Sequence, residues 1–317
     1  MKTLAVVLQQ PEQLAISQLE LVEPTDADVI VDVEWSGIST GTEKLLWSGR
    51  MPPFPGMGYP LVPGYESVGR VITAGANSGL CEGDRVFVPG ANCFGDVRGL
   101  FGGAAARLVV PGKRVLPVDE PLGERAILLA LAATAYHAVA GGGKREHIVP
   151  PDLIVGHGVL GRLLARLNVA AGFADTTVWE RDPVRAQGAQ GYRVLHPDED
   201  TRRDYHSIYD MSGDASILDS LIGRLAPGGE IVLAGFYSER VSFSFPPAFM
   251  REAQIRIAAE WQRADLLAVQ ALIESDRLSL DGLITHHEHA AHADAAYRTA
   301  FGDAACLKMV LDWRHNA

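Results

Sequence analysis

The sequence predicts an α/β fold in which a β-rich first domain precedes a doubly wound parallel sheet, and three observations predict it. Residues 1 to about 120 hold the short β-branched runs LAVVL, VIVDVEW, SVGRVI, DRVFVPG and RLVVP, separated by Gly and Pro, which is how strands broken by turns read. After residue 150 apolar strands alternate with segments of helical period, the pattern of parallel βαβ units. At the head of that region stands Gly156-His157-Gly158-Val159-Leu160-Gly161, a glycine-rich turn between a strand and a helix.

Taken in order, MKTLAVVLQQPEQ is a first strand, since five apolar residues in a row are too few for a signal-peptide core. Residues 126–143 carry no Asp, Glu, Lys or Arg for 18 residues, the length of a membrane span. Thr134, Tyr136, His137 and three closing glycines make it a buried helix instead. DLIV (152–155), TTVWE (176–180), YRVL (192–195), SIYDMSG (207–213) and IVLAG (231–235) are strands. Helices are expected over VLGRLLARLNVAAG, from Asp182-Pro183 onward, and over DASILDSLIGRL. An amphipathic helix at 265–275, the LITHH segment, a helix at 293–301 and a last strand CLKMVLDW complete the chain.

Composition narrows the function. At 317 residues, 47% hydrophobic and 21% charged, the chain is globular, with room for two domains. A net charge of −11 disfavours nucleic acid and anionic lipid. Cys81, Cys93 and Cys306 are far apart and odd in number, so a reducing, cytoplasmic location without a disulfide framework is expected.

The glycine turn carries the strongest chemistry, and its setting makes this domain Rossmann-type. Gly156 permits the tight turn, Gly158 lets the backbone approach a pyrophosphate, and Gly161 lets helix and strand pack closely. Val159 and Leu160 open the helix whose free N–H groups face the phosphates. Glu180 ends the next strand 19 residues after Gly161, where it accepts hydrogen bonds from ribose hydroxyls and repels a 2′-phosphate. That favours NAD, although adjacent Arg181 is suited to the phosphate of NADP. A ligand-free αβ turn is the plain structural alternative.

Several motifs fall in one order: GISTGTE (37–43), PGYESVGRV (63–71), GDRVFVPG (83–90), TAYHA (134–138), GHGVLG, LAPGGEIVLAG (225–235) and LITH (283–286). Over nearly its whole length the chain therefore resembles the medium-chain dehydrogenase/reductase superfamily. The resemblance implies a GroES-like catalytic domain (1–121), a Rossmann dinucleotide-binding domain (122–262) and a C-terminal segment (263–317) completing the first. It also implies Thr134 and Gly235 among the cofactor-binding residues. The strings SGISTGTEKLLWSGRMPPFPGMGYPLVPGYES, VPGANCFGDVRGLFGG and FMREAQIRIAAEWQ resemble, more narrowly, the 3-hydroxyethyl bacteriochlorophyllide a dehydrogenases of bacteriochlorophyll biosynthesis. In that family NAD takes a hydride from the 1-hydroxyethyl group on ring A of a tetrapyrrole, leaving a 3-acetyl group.

Where zinc-dependent members of the superfamily place metal ligands, this chain has Thr40, Tyr65 and Ala130. None is a zinc donor, and only Cys93 stands in the stretch that holds four cysteines in those members, so no metal is expected. The proton of the alcohol then leaves through side chains. Tyr65 is the first candidate base, with Thr40 beside it and Thr42 matching a relay hydroxyl of some relatives. A phenol near a cationic nicotinamide has its pKa lowered; the alternative is a packed tyrosine with a satisfied hydroxyl. Glu43 and Glu66 read as buried structural acids. His137 is either a proton relay to solvent or a core histidine.

Trp47, Met51, Phe54, Met57 and Tyr59 lie in a proline-rich apolar loop suited to a large flat ligand, or to covering its own core. Arg50 and Arg98 are candidates for a propionate. His286, His287, His289 and His292 invite a metal reading that their spacing does not favour. A homodimer is possible. A zinc-free quinone or enone reductase, and a non-catalytic dinucleotide- or tetrapyrrole-binding protein, are the competing functions.

Overall fold

A computed structural model describes residues 1–141, 149–173 and 175–314. They divide into two compact units, Met1–Ala130 with Leu283–Ala317, and Leu131–Gly282.

The first unit is organised by the strand Asp28–Ile38, whose Val29, Ile30, Val31, Val33 and Ile38 are buried. It pairs antiparallel with Ser67–Ala74, Arg107–Pro111 and Met309–Asp312. Arg85–Val88 and Leu116–Pro117 extend this sheet on one side and His286–His289 on the other. Gln13–Glu20, Lys2–Gln10, Leu61–Val62 and Arg98–Gly99 form a second sheet. Val6, Val31, Leu108, Tyr297 and Trp313 belong to the core of this unit. All five runs read as strands here are strands, because each places β-branched side chains on a buried face.

Register decides where the chemistry gathers. Ser36 pairs with Ser67, and Ile38 pairs with Met309. Ser39, Glu66 and Lys308 are therefore the residues just past the sheet at one shared end.

The second unit is a six-stranded, all-parallel sheet in the order Arg193–Leu195, Thr177–Trp179, Leu153–Val155, Tyr205–Asp210, Leu225–Leu233, Gln254–Ile257. The order reverses between Leu153–Val155 and Tyr205–Asp210, the switch point beside which open α/β sheets bind ligands. Five of these strands match the sequence reading. The sixth, Gln254–Ile257, was not anticipated, since four residues at a sheet edge give little signal.

Two expectations need correction. No helix follows Asp182-Pro183. Asp182 Oδ1 accepts from the amides of Val184 and Arg185, and Arg162 gathers the carbonyls of Arg185, Gln187 and Gly188 that a helix would need for itself. The helix in 214–225 shrinks to Leu218–Ile222, because Asp214 closes its own turn on Ser216 and the next strand begins at Leu225. The two compact units divide at 130/131 and 282/283. Arg166 donates to the carbonyls of Ser279 and Asp281, which ties the segment carrying the helix Arg263–Glu274 to the second unit.

The apolar run at 126–143 is a 3₁₀ turn, Glu120–Leu128, leading into the helix Leu129–Ala140; Gly142 and Gly143 lie outside the described residues. Among the described residues no helix is long and apolar enough to cross a membrane.

Candidate active site

The glycine turn has the form its sequence implies. Gly156 is left-handed at φ +97°, and a Cβ on Gly161 would sit 1.9 Å from the Gly156 carbonyl oxygen. Only hydrogen at Gly161 allows that crossing. A Cβ on Gly158 would meet nothing within 4 Å, so the backbone there faces open space. Gly158 also caps the helix Val159–Ala170 without any side-chain bond, leaving the first amides of that helix to an anion. Val159 is buried and Leu160 half-buried.

Glu180 is fixed at the rim of the turn. Its Oε2 accepts from the His157 amide at 3.0 Å, and its Oε1 from the amides of Arg181 and Asp182 at 2.8 and 2.9 Å. Arg181 is exposed beside it. These residues fit a dinucleotide: an open cradle, unpaired amides and a placed acid. Gly235 packs against Gly213, whose amide would lie 2.6 Å from its Cβ, at the ends of neighbouring strands, and Thr134 is half-buried on the helix Leu129–Ala140.

His157 escaped the sequence reading, as an arbitrary residue between two glycines. Its ring is buried, with Nδ1 2.6 Å from the Arg185 carbonyl and Nε2 2.8 Å from the Tyr192 hydroxyl. Burial, helped by the Arg162 charge, pushes its pKa down to about 4, so it stays neutral and serves as a strut.

The second constellation lies in the first unit. Lys308 and Glu66, both fully buried, form an ion pair at 2.6 Å, and Lys308 also donates to the Ile38 carbonyl at 3.2 Å. Gly37 is required beneath it, since a Cβ would come within 2.4 Å of Glu66 Oε2. Glu43, in the short helix Thr42–Trp47, accepts from the Ser39 amide at 3.1 Å and from the Tyr297 hydroxyl at 2.6 Å. Tyr65 donates to Ser39 Oγ at 2.7 Å. Tyr297 and Lys308 were absent from the sequence reading because they are 254 and 242 residues from their partners. Of the three positions that hold zinc ligands in other members of the superfamily, Thr40 is half-buried and Ala130 is fully buried. Among the described residues no three His, Cys, Asp or Glu side chains come together in a way that could hold a metal ion.

Burial dominates the electrostatics. It pushes Glu43 up to about 7, against the Tyr297 hydrogen bond and with the Glu66 charge. It raises Glu66 against the pull of Lys308. It also lifts Tyr65 above the ordinary phenol range, with the Glu66 charge adding to it while the Ser39 and Thr42 hydroxyls pull the other way. The residues of this unit thus shift Tyr65 opposite to the lowering expected of a base.

Other sequence candidates are placed as follows. His137 Nδ1 lies 2.7 Å from Asp265 Oδ2, and the same oxygen accepts from the Gln262 amide in a capping box, so His137 fastens one helix to another. Met51 belongs to a small core with Leu8, Leu46 and Leu61, against which Trp47, Met57 and Tyr59 pack. The Tyr59 hydroxyl donates to the Leu46 carbonyl. Of the five loop residues only Phe54 is exposed. Arg50 and Arg98 are exposed. His287 meets Glu124 and His292 meets Glu288, each at 3.0 Å, which accounts for these two histidines as partners in surface hydrogen bonds.

Comparison with known proteins bears on what this site does. Residues 25–120 match the alcohol dehydrogenase GroES-like domain. The chain is 58% identical to 2-desacetyl-2-hydroxyethyl bacteriochlorophyllide A dehydrogenase of Cereibacter sphaeroides, covering 100% of both chains. It is also 58% identical to the Rhodobacter capsulatus protein of that name, covering 99% of each. The chain belongs to this dehydrogenase family. Its fold is that of alcohol dehydrogenases: a structure of one from Escherichia coli CFT073, complexed with NADH, superposes with a TM-score of 0.81 over 98% of this chain and 99% of that one, at 22% identity.

As a member of this family the chain is an oxidoreductase, and its buried acids have a measurable consequence. Glu43 titrates at about 7 in the fold against an ordinary 4.5. Its burial is then without cost below pH ~4.5, costs more as pH rises, and levels off above pH ~7 at about 3 kcal/mol. Replacing Glu43→Gln keeps an acceptor for Tyr297 and removes the titration. The wild-type urea midpoint is expected to fall between pH 4.5 and 7 more steeply than that of the variant, and parallel profiles would show that Glu43 does not titrate there.

Proposed function

We propose that the chain oxidises the 3-(1-hydroxyethyl) group of a bacteriochlorophyllide to a 3-acetyl group, with NAD as hydride acceptor. The observation that carries this reading is end-to-end identity of 58% to two dehydrogenases named for that substrate. It is supported by a glycine turn and an acid that fit a dinucleotide.

NAD bound at Gly156, Gly158 and Gly161 supplies the acceptor for the carbinol hydride. The chain's own residues handle the hydroxyl proton. Tyr65 is protonated at rest, because burial and Glu66 raise it. It therefore acts by exchange: its oxygen takes the carbinol proton as its own proton passes to Ser39 Oγ, 2.7 Å away, and the proton that Ser39 held before passes on to water. Each bond to hydrogen that breaks is matched by one that forms, and no phenolate accumulates. Thr40 and Thr42 orient the reacting hydroxyl. His137, held by Asp265, stands outside this path. Glu180 sets the preference for NAD through its charge beside the ribose, and Thr134 and Gly235 line the cofactor. Three free cysteines, one of them exposed, agree with a cytoplasmic location.

We read the partner as a second copy of this chain. The sheet edge Gln254–Ile257 and the adjoining helix Phe245–Met250 leave Phe245, Phe249, Met250 and Ile257 each at least 66% exposed. An unpaired strand flanked by such residues invites a copy of itself across a two-fold axis.

Anaerobic incubation with 3-hydroxyethyl bacteriochlorophyllide a and NAD is expected to give NADH and the acetyl product in equal amounts. Binding of NAD without turnover would sink the reading. In the same assay Tyr65→Phe is expected to lower kcat by roughly 10²- to 10⁴-fold; a retained kcat across pH would remove Tyr65 from the reaction. Comparison of kcat/KM for NAD and NADP should show the wild type favouring NAD and Glu180→Gln narrowing the ratio about tenfold. In sedimentation velocity Ile257→Lys should shift the protein from dimer to monomer, whereas an unchanged distribution would place the interface elsewhere.

A further inference from the structure

We propose that Phe101 is the surface on which the face of the tetrapyrrole rests. The inference builds on the substrate assigned above and concerns a residue outside the loop at 47–65, which the sequence had singled out for a flat ligand.

That loop is largely occupied with itself, since Trp47, Met51, Met57 and Tyr59 pack into a core of the first unit. Among the described residues of this unit two phenylalanines remain exposed, Phe54 and Phe101. Phe101 differs from Phe54 in two ways.

First, its backbone is locked. The Phe101 carbonyl accepts from the Ala91 amide at 2.9 Å, and the amides of Leu100 and Gly102 both donate to the Val62 carbonyl at 2.9 Å. Gly90 and Gly102 are left-handed at φ +88° and +78°. A Cβ on Gly90 would lie 2.3 Å from the Phe101 carbonyl oxygen, and one on Gly102 1.8 Å from that of Ala91. The chain crosses here at distances that only glycine permits. A rigid backbone that nevertheless holds a phenyl ring 40% exposed spends apolar surface on solvent without gaining freedom for it.

Second, the ring touches the proposed proton-transfer group. The Phe101 and Tyr65 rings meet edge to face, with centroids 5.5 Å apart and planes at 87°. A macrocycle stacked parallel to Phe101 lies perpendicular to the phenol. Its rim, which carries the hydroxyethyl arm, then turns toward Tyr65 instead of its face. The contact selects substrates by a broad, uncharged π surface and fixes the reacting arm in one sector, two requirements that a small secondary alcohol does not meet.

Phe101→Leu keeps an apolar side chain against Tyr65 and removes the π face, and Phe101→Trp restores a larger one. Absorption titration of the bacteriochlorophyllide without cofactor should give a Kd about 3- to 10-fold weaker in Phe101→Leu and at least wild-type affinity in Phe101→Trp. NAD affinity should stay within about twofold of wild type, while kcat at saturating macrocycle should fall in Phe101→Leu, because the arm is no longer held in one sector, and recover in Phe101→Trp. Wild-type affinity in Phe101→Leu, or a fall in kcat at unchanged Kd, would overturn the proposal. A wild type that binds the macrocycle but does not turn it over would defeat the assigned reaction and still let the Kd comparison decide Phe101, while a wild type that does not bind the macrocycle would defeat both.

Discussion

The buried pair of Lys308 and Glu66 is the constraint on which the first unit depends. Its partners come from opposite ends of the chain, 242 residues apart, and the pair sits where three strands end together. Two charges leave water at this point, which only close geometry and further hydrogen bonds make tolerable. The 2.6 Å contact supplies the first and the Ile38 carbonyl a further bond for Lys308, while Glu66 Oε1 has no hydrogen-bond partner among the described residues. The strand Met309–Asp312 is thereby committed to one register against Asp28–Ile38, because a one-residue slip would turn Lys308 away and leave Glu66 buried and uncompensated. Gly37 belongs to the same constraint, since any side chain there would occupy the place of the carboxylate.

The second unit solves a related problem with neutral partners. Arg162, buried in the helix Val159–Ala170, donates to four backbone carbonyls, those of His157, Arg185, Gln187 and Gly188. His157 meets the Arg185 carbonyl from the other side. The segment after Glu180 is thus held to the glycine turn from below, and the Glu180 carboxylate is held to it from above by the His157 amide. A cofactor reaching this rim finds acceptor and amides already placed, so little ordering remains to oppose binding. The cost is the helix that Asp182-Pro183 would otherwise begin, and the chain forgoes it.

Much of this was legible in the sequence, for identifiable reasons. The strands were readable because β-branched runs between Gly and Pro have few other uses. The glycine turn was readable because glycine at 156 and 161 answers a steric demand that the structure repeats at Gly161 and Gly156. Tyr65 and Glu66 were readable as a place, through resemblance, though not in their electrostatics. The sign of the Tyr65 shift depends on burial and on a neighbouring carboxylate, and neither is visible in a local string. Tyr297 and Lys308 were invisible for the opposite reason, since their partners are distant in sequence and close only once the sheet has closed. Phe101 stood within a quoted motif, yet an exposed ring on a fixed backbone is a property of folding, and no spacing rule announces it.

The sign of the local field around Tyr65 follows from the residues that surround it. A dication lowers the pKa of an alcohol bound to it, and a site built for one supplies neutral or anionic donors. Thr40, Tyr65 and Ala130 supply none, while Glu43 and Glu66 stand close enough for each to raise the pKa of Tyr65. In such surroundings a phenolate is disfavoured before and after the reaction. A proton can still cross a protonated phenol if it enters on one side as another leaves on the other, and Ser39 Oγ is positioned to receive the one that leaves. On the mechanism proposed for this chain the buried acids do not oppose the chemistry, because exchange keeps the phenol neutral throughout. The single cation among these groups, Lys308, is spent on Glu66, which keeps one of the two negative charges from adding fully to that field.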